Sequence, residues 1–138
     1  MSKVPGRLHA TGGVLFILCG IAHTIGQYSS ISSVAPIEKT MRGSIIPGTT
    51  MNYLGVMQCW GALYGAMTIL IGVMLLVAPN AAGGSARVRK PVALTGAIAA
   101  IVQTACALFY NAPPPAFFMI PAVLLLLASA FWPERPTA

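Results

Sequence analysis

The chain has 138 residues, 57% of them hydrophobic and 7% charged, with a formal net charge of +6; that is enough for one compact domain. A soluble domain is usually about 25% charged, and two acidic residues, Glu38 and Glu134, would not keep so apolar a chain dissolved. The composition therefore excludes an ordinary soluble protein and predicts an all-α integral membrane protein. The basic residues stand at the ends of apolar runs, not in one patch interleaved with aromatics, so the bilayer and not a nucleic acid is the expected partner.

A helix crosses the hydrocarbon core with about 20 residues, and four runs qualify. The first spans Leu8 to Tyr28. Lys3 and Arg7 precede it, as in a signal peptide. The run is long for one, however, and the best cleavage candidate, Ser33 to Ala35, is followed by Pro36, so it reads as a retained span. His23 lies late in this run, with Gln27 one turn further and Cys19 one turn earlier. The loop from Ser29 to Thr50 follows. In it Val34, Ile37, Met41 and Ile45 recur at helical spacing around Glu38, Lys39 and Arg42, which predicts a short amphipathic helix on the membrane surface. GSIIPGTT then turns the chain back.

The second span runs from Asn52 to Val77 and is expected to end at the breaker Ala78-Pro79-Asn80. Gly55, Gly61, Gly65, Thr68 and Gly72 offer a small-residue face, and Tyr53, Met57, Trp60 and Tyr64 an opposite, large one. The third span, Pro91 to Tyr110, carries Gly96, Ala99, Ala100 and Ala107. Gly12, Gly13 and Gly20 complete the set in the first span. Helices in lipid approach closely through such residues, so a tight four-helix bundle follows, with small faces that also suit a homo-oligomer or a membrane partner. Asn111 and Pro113 to Pro115 make a tight turn into the fourth span, Ala116 to Trp132, where Pro121 falls near the start. Spans three and four then form an antiparallel hairpin.

Four spans put both termini on one side. Lys3, Arg7, Arg87, Arg89, Lys90 and Arg135 fall there, against Lys39 and Arg42 on the other. Six against two predicts cytoplasmic termini in a plasma membrane, with residues 29–50 external.

The helical rise of about 1.5 Å per residue converts position into depth. His23 and Gln27, Asn52 and Gln58, and Gln103, Thr104 and Tyr110 all fall in the outer half. The inner half reads as almost purely apolar. Intramembrane polar groups face the bundle interior and find partners, so His23 is expected to bond Gln58, Gln103 or Tyr64. One reading of this cluster is a network that fixes helix register. The other is a small cavity for a lipophilic molecule, with His23, Gln27, Gln58, Gln103 and Asn52 as ligand-binding residues and His23, Tyr64 and Tyr110 as catalytic candidates. A buried histidine is also a usual haem ligand, but His9 lies about 21 Å from His23 along one helix and cannot join it on one iron.

Much chemistry is missing. No carboxylate, lysine or arginine falls within these four spans, which argues against proton-coupled transport, carboxylate acid–base pairs and anion pathways. There is no Gly-rich phosphate loop, GxSxG or HExxH. Cys19, Cys59 and Cys106 form no CxxC and read as small packing residues, not as metal ligands.

Three stretches carry a resemblance: VAPIEKTM, MNYLGVMQCWGALYGAMTILIGVMLL and LFYNAPPPAFFMIPAVLLLLASA. Together they resemble a family of small bacterial four-span membrane proteins near the DoxX-like group, which has no assigned chemistry. More weakly, LHATGGVLFILCG and ALFYN are similar to the membrane-bound styrene oxide isomerases, four-span haem proteins acting on lipophilic epoxides. That resemblance implies Tyr110 as the substrate-polarising residue. It also implies a haem-ligating histidine at the start of the second span, where this chain has TTMNYLG, with Met51 nearest. Two functions stay open: a hydrophobic-ligand-binding bundle or membrane subunit, and a membrane isomerase or oxidoreductase for a lipophilic small molecule, with haem as its candidate cofactor.

Overall fold

With no water in a bilayer to satisfy N–H and C=O groups, an apolar run must bond its backbone internally, and a helix does so. A computed structural model of the chain describes residues 4–28, 35–83, 85–109 and 114–133. It has four long helices, α1 (Val4–Tyr28), α3 (Tyr53–Ala81), α4 (Ala86–Phe109) and α5 (Pro114–Phe131), and one short one, α2 (Ala35–Gly43). All four long helices are apolar and long enough to cross a membrane. The shortest, α5, has 18 residues and is about 27 Å long, close to the roughly 30 Å hydrocarbon core. Tyr110, a catalytic candidate, lies outside the described residues.

The long helices form an antiparallel ring. α1 packs extensively on α3 and α5, and α5 on α4, while α3 and α4 meet along a thinner seam and α1 and α4 barely touch. Side-chain size is sorted by face. On α3 the exposed stripe is Met57, Trp60, Leu63, Met67, Leu70 and Met74, whereas Gly65, Thr68 and Gly72 face inward. Small residues between helices and large apolar ones outside are the arrangement expected in lipid; in water so much exposed apolar surface would be an aggregation site. The protein is thus a multi-pass helical bundle.

Two glycine pairs set the α1–α3 distance. A Cβ added to Gly20 would lie 2.7 Å from the Gly65 carbonyl oxygen, and one on Gly72 would lie 2.7 Å from the Gly13 carbonyl oxygen. Positions 13 and 20 are seven apart, as are 65 and 72, so both contacts fall on one stripe of each helix. Gly55 does not join this face; its nearest neighbour is the Asn52 side chain of its own helix start. Further in, Phe16, Leu75, Met119 and Leu126 fill the core against Ala93, Ala97, Ala100 and Ala122. Leu126 also sits over Gly12 and Gly96.

The amphipathic helix expected in the first loop is α2, with Glu38 in its first turn and Arg42 in its last. The return turn is also as expected. Ile46 N–H donates to the Met51 carbonyl at 2.9 Å, Ile45 and Asn52 pair as an isolated bridge, and Gly48 takes the left-handed φ of 78° that a glycine permits.

The helix ends differ from the sequence reading. α3 does not stop at Ala78-Pro79-Asn80 but carries Pro79 inside and runs to Ala81. α4 starts five residues before Pro91, so Arg87, Arg89 and Lys90 belong to a long helix that was expected to begin after them. α5 begins at Pro114, not Ala116, which places Pro121 well inside it. Proline removes one backbone donor and the bond to residue i−4. Within a packed bundle a neighbouring helix can satisfy the carbonyl set free, so the helix continues.

Candidate functional site

The half of the bundle remote from the chain termini (the outer half; the half at the termini is the inner) holds the candidate site. His23 is half-buried on α1 and meets the Tyr64 ring of α3 edge-on, with centroids 4.6 Å apart and planes at 62°. Of the three partners expected for His23, Tyr64 is the one that reaches it, through ring contact and not a hydrogen bond. Of the large residues opposite the glycines, Tyr53, Met57 and Trp60 are exposed and Tyr64 is half-buried. The Tyr64 side chain has Cys19 of α1, Thr68 of its own helix and Cys106 of α4 around it.

Thr68 carries the polar link across to α4. Its hydroxyl donates to the Tyr64 carbonyl at 2.8 Å and accepts from Gln103 Nε2 at 3.4 Å. Thr24 and Thr104 likewise donate to carbonyls one turn back, at Gly20 and Ala100; this is how a hydroxyl is satisfied inside a helix bundle. Two buried polar atoms of the network have no partner among the described residues, His23 Nε2 and Gln103 Oε1. An unpaired buried polar atom costs about 1–3 kcal/mol, so each is a place where a bound molecule or water gains a bond.

The other expected ligand residues are dispersed. Gln27 folds over Gly61, with its Cδ 2.5 Å from where a Cβ there would stand, and its amide reaches the Met57 carbonyl at 3.5 Å. Asn52 caps α3: its side-chain oxygen accepts from Gly55 N–H at 2.7 Å, satisfying an otherwise orphaned helix-start donor. Gln58 is half-buried, and no hydrogen bond joins it to His23 among the described residues. The cluster is thus His23, Tyr64, Thr68 and Gln103, with Gln27 above it.

A recess of about 260 Å³ opens beside His23 between α1 and the start of α5. Cys19, Ala22, Gly26 and Gln27 form one wall, and Pro114, Pro115 and Phe118 the other. Gly26 and Ala22 leave room on α1, and the prolines hold the start of α5 rigid. The lining is apolar apart from His23, Gln27 and the Cys19 thiol, which suits an uncharged molecule with one hydrogen-bonding group.

The inner half corrects the expectation of a nearly apolar interior. His9 is 3% exposed, Arg89 6%, and Ser129 fully buried. His9 Nε2 lies 2.8 Å from the Leu75 carbonyl oxygen. Leu75 is the residue four before Pro79, so its carbonyl lacks an intrahelical donor, and His9 supplies one from α1. A carbonyl only accepts, so Nε2 carries the proton. Ser129 donates to the Pro5 carbonyl at 2.8 Å. The sequence held a signal for this pairing: a proline inside an apolar run frees a carbonyl one turn back, and a histidine at matching depth can answer it.

No group of three or more histidine, cysteine, aspartate or glutamate side chains suited to a metal ion occurs among the described residues. For haem, the described residues give no pair of axial ligands: His9 Nε2 is committed to Leu75 at the opposite end, and Met51 is exposed before α3. No protein-family model matches the chain, and neither does any curated protein or solved structure.

Proposed function

We propose that this protein binds an uncharged lipophilic small molecule in the recess between α1 and α5, with the His23 imidazole as its polar anchor. The carrying observation is that His23 lines an apolar recess while its Nε2 is buried without a partner. The volume of about 260 Å³ sits at the small end of ligand cavities, roughly 300–1,000 Å³, so the molecule is of monocyclic or short-chain size. Two further features support a membrane route of entry: the wall is apolar, and the surrounding surface is too.

The positive-inside distribution of lysine and arginine supports cytoplasmic termini in a plasma membrane and, with them, a recess open to the outer leaflet. The small-residue faces are largely used within the chain, at Gly13–Gly72 and Gly20–Gly65. A partner or second copy would therefore meet the large exposed side chains of α3. A catalytic reading, isomerisation or redox chemistry on the same molecule, draws its support from the His23–Tyr64 contact, which sets two proton-carrying groups together at the recess.

The test is to purify the protein in mild detergent and record its absorption spectrum and the mass spectrum of what co-purifies. The expected result is a small lipophilic molecule retained by wild type and lost in His23→Leu, with the variant's stability within about 1 kcal/mol because no bond from Nε2 is removed. A wild type that retains nothing, combined with a His23→Leu variant that unfolds much earlier, would make His23 a structural residue and end this reading.

A further inference from the structure

The polar groups of the inner end do not all serve the bundle. Arg89 stands in the first turn of α4 with its side chain 6% exposed. Its Nε is buried with no partner among the described residues. His9 is close enough for their charges to interact, and its Nδ1 is likewise buried and unpartnered. With Nε2 protonated toward Leu75, Nδ1 is an acceptor, so a neutral His9 is no counter-ion for Arg89.

A guanidinium keeps its charge in a protein, and a buried charge needs an opposite one. The single carboxylate side chain among the described residues is Glu38, on α2 beyond the opposite end of the bundle. The other charged side chains described at that end are basic instead. Arg87 adjoins Arg89, Arg7 lies in the first turn of α1 at the same end, and the α4 start carries the positive end of the helix dipole, although its Arg87, Val88 and Arg89 N–H groups already donate to Ser85.

We infer that Arg89, buried at the start of α4, binds a phosphate anion at the inner end of the bundle, most naturally the phosphodiester headgroup of an anionic lipid. The chemistry fits in three respects. A guanidinium presents a planar fork that matches two phosphate oxygens. Basic pockets between transmembrane helices at the headgroup level take anionic lipids. Arg89 is also more buried than its basic neighbours, which separates a seat for one headgroup from the diffuse attraction of surface lysines and arginines. This inference is independent of the His23 recess, which lies at the other end of α1.

Native mass spectrometry of the detergent-purified protein tests it, with dioleoylphosphatidylglycerol and dioleoylphosphatidylcholine as probes and inorganic phosphate as competitor. Wild type is expected to retain phosphatidylglycerol over phosphatidylcholine. Arg89→Gln should lower that retention about tenfold, and Arg87→Gln should leave it nearly unchanged. If millimolar inorganic phosphate displaces the lipid, the seat also takes free phosphate; if it does not, the seat is a lipid site. Equal retention of the two lipids overturns the proposal, as does equal loss in Arg87→Gln and Arg89→Gln, which would mean diffuse surface attraction. Should Arg89→Gln fail to fold, Arg89→Lys takes its place: it keeps the charge without the fork, and unchanged selectivity there counts against the proposal. Glu134→Gln guards against an internal counter-ion. If it lowers the melting temperature of lipid-free protein as Arg89→Gln does, Arg89 pairs with the chain's own carboxylate and the inference fails.

Discussion

The two histidines of α1 sit at opposite ends of the same helix and do opposite things. His9 is buried, donates to a carbonyl that Pro79 has set free, and ties α1 to α3. His23 is half-buried, touches the edge of one tyrosine ring, and leaves Nε2 without a partner beside a recess. Toward the inner end Leu75 and Leu126 are buried and Ser129 ties α5 to the Pro5 carbonyl. The outer end carries the cavity and the loosely bonded glutamines. A histidine in a membrane is therefore not a functional signal by itself; what matters is whether the bundle uses its nitrogens. At the inner end the helix-to-helix bond uses one of them, and at the outer end Nε2 has no partner among the described residues.

This contrast can be broken most severely at the helix crossing that holds both ends in register. Gly72→Val would drive its side chain into the Gly13 carbonyl and the Ile17 backbone. A loss of about 3 kcal/mol, the upper range for overpacking, is expected in reversible unfolding in mixed micelles, and a stable variant would show that α1 and α3 do not cross there. Next comes the His9 tie. His9→Leu should cost about 1–3 kcal/mol by orphaning the Leu75 carbonyl. Pro79→Ala in the same chain should recover much of it, because residue 79 then has an N–H to give Leu75. Failure of that rescue in a double-mutant cycle would break the link between proline and histidine.

The outer end should answer more softly. Thr68→Val keeps the shape but removes the hydroxyl that joins Tyr64 to Gln103. A cost of about 1–2 kcal/mol is expected in the same unfolding assay, and a larger one would mean that the outer network is as structural as the inner one. The smallest effect is foreseen for Gly61→Ala. The added methyl meets only the flexible end of Gln27, so the melting temperature should move by a degree or two at most, with the Gln27 side chain displaced from Met57. A large drop would mean that Gln27 is fixed and belongs to the framework.

The sequence by itself determined four spans, the surface helix between the first two, the glycines that let α1 and α3 touch, and a polar level in the outer half. All of these follow from local composition, helical period and rise, which need no knowledge of neighbours. It could not tell which polar residues meet. Asn52 was consumed as a cap, and Tyr64 met His23 where Gln58 and Gln103 did not, because those outcomes depend on the rotation of each helix about its axis. The proline positions misled for a related reason. Pro79 and Pro91 read as boundaries when the chain is taken alone, and Pro121 as a residue near a helix start, yet all three lie well inside helices once another helix can satisfy or cover the broken turn. Tertiary structure alone decided that His9 answers the Leu75 carbonyl, that Arg89 is buried without a carboxylate among the described residues, and that a recess opens at His23. Each is a meeting of groups from different helices, and lateral placement is the one coordinate that helical period and rise do not fix.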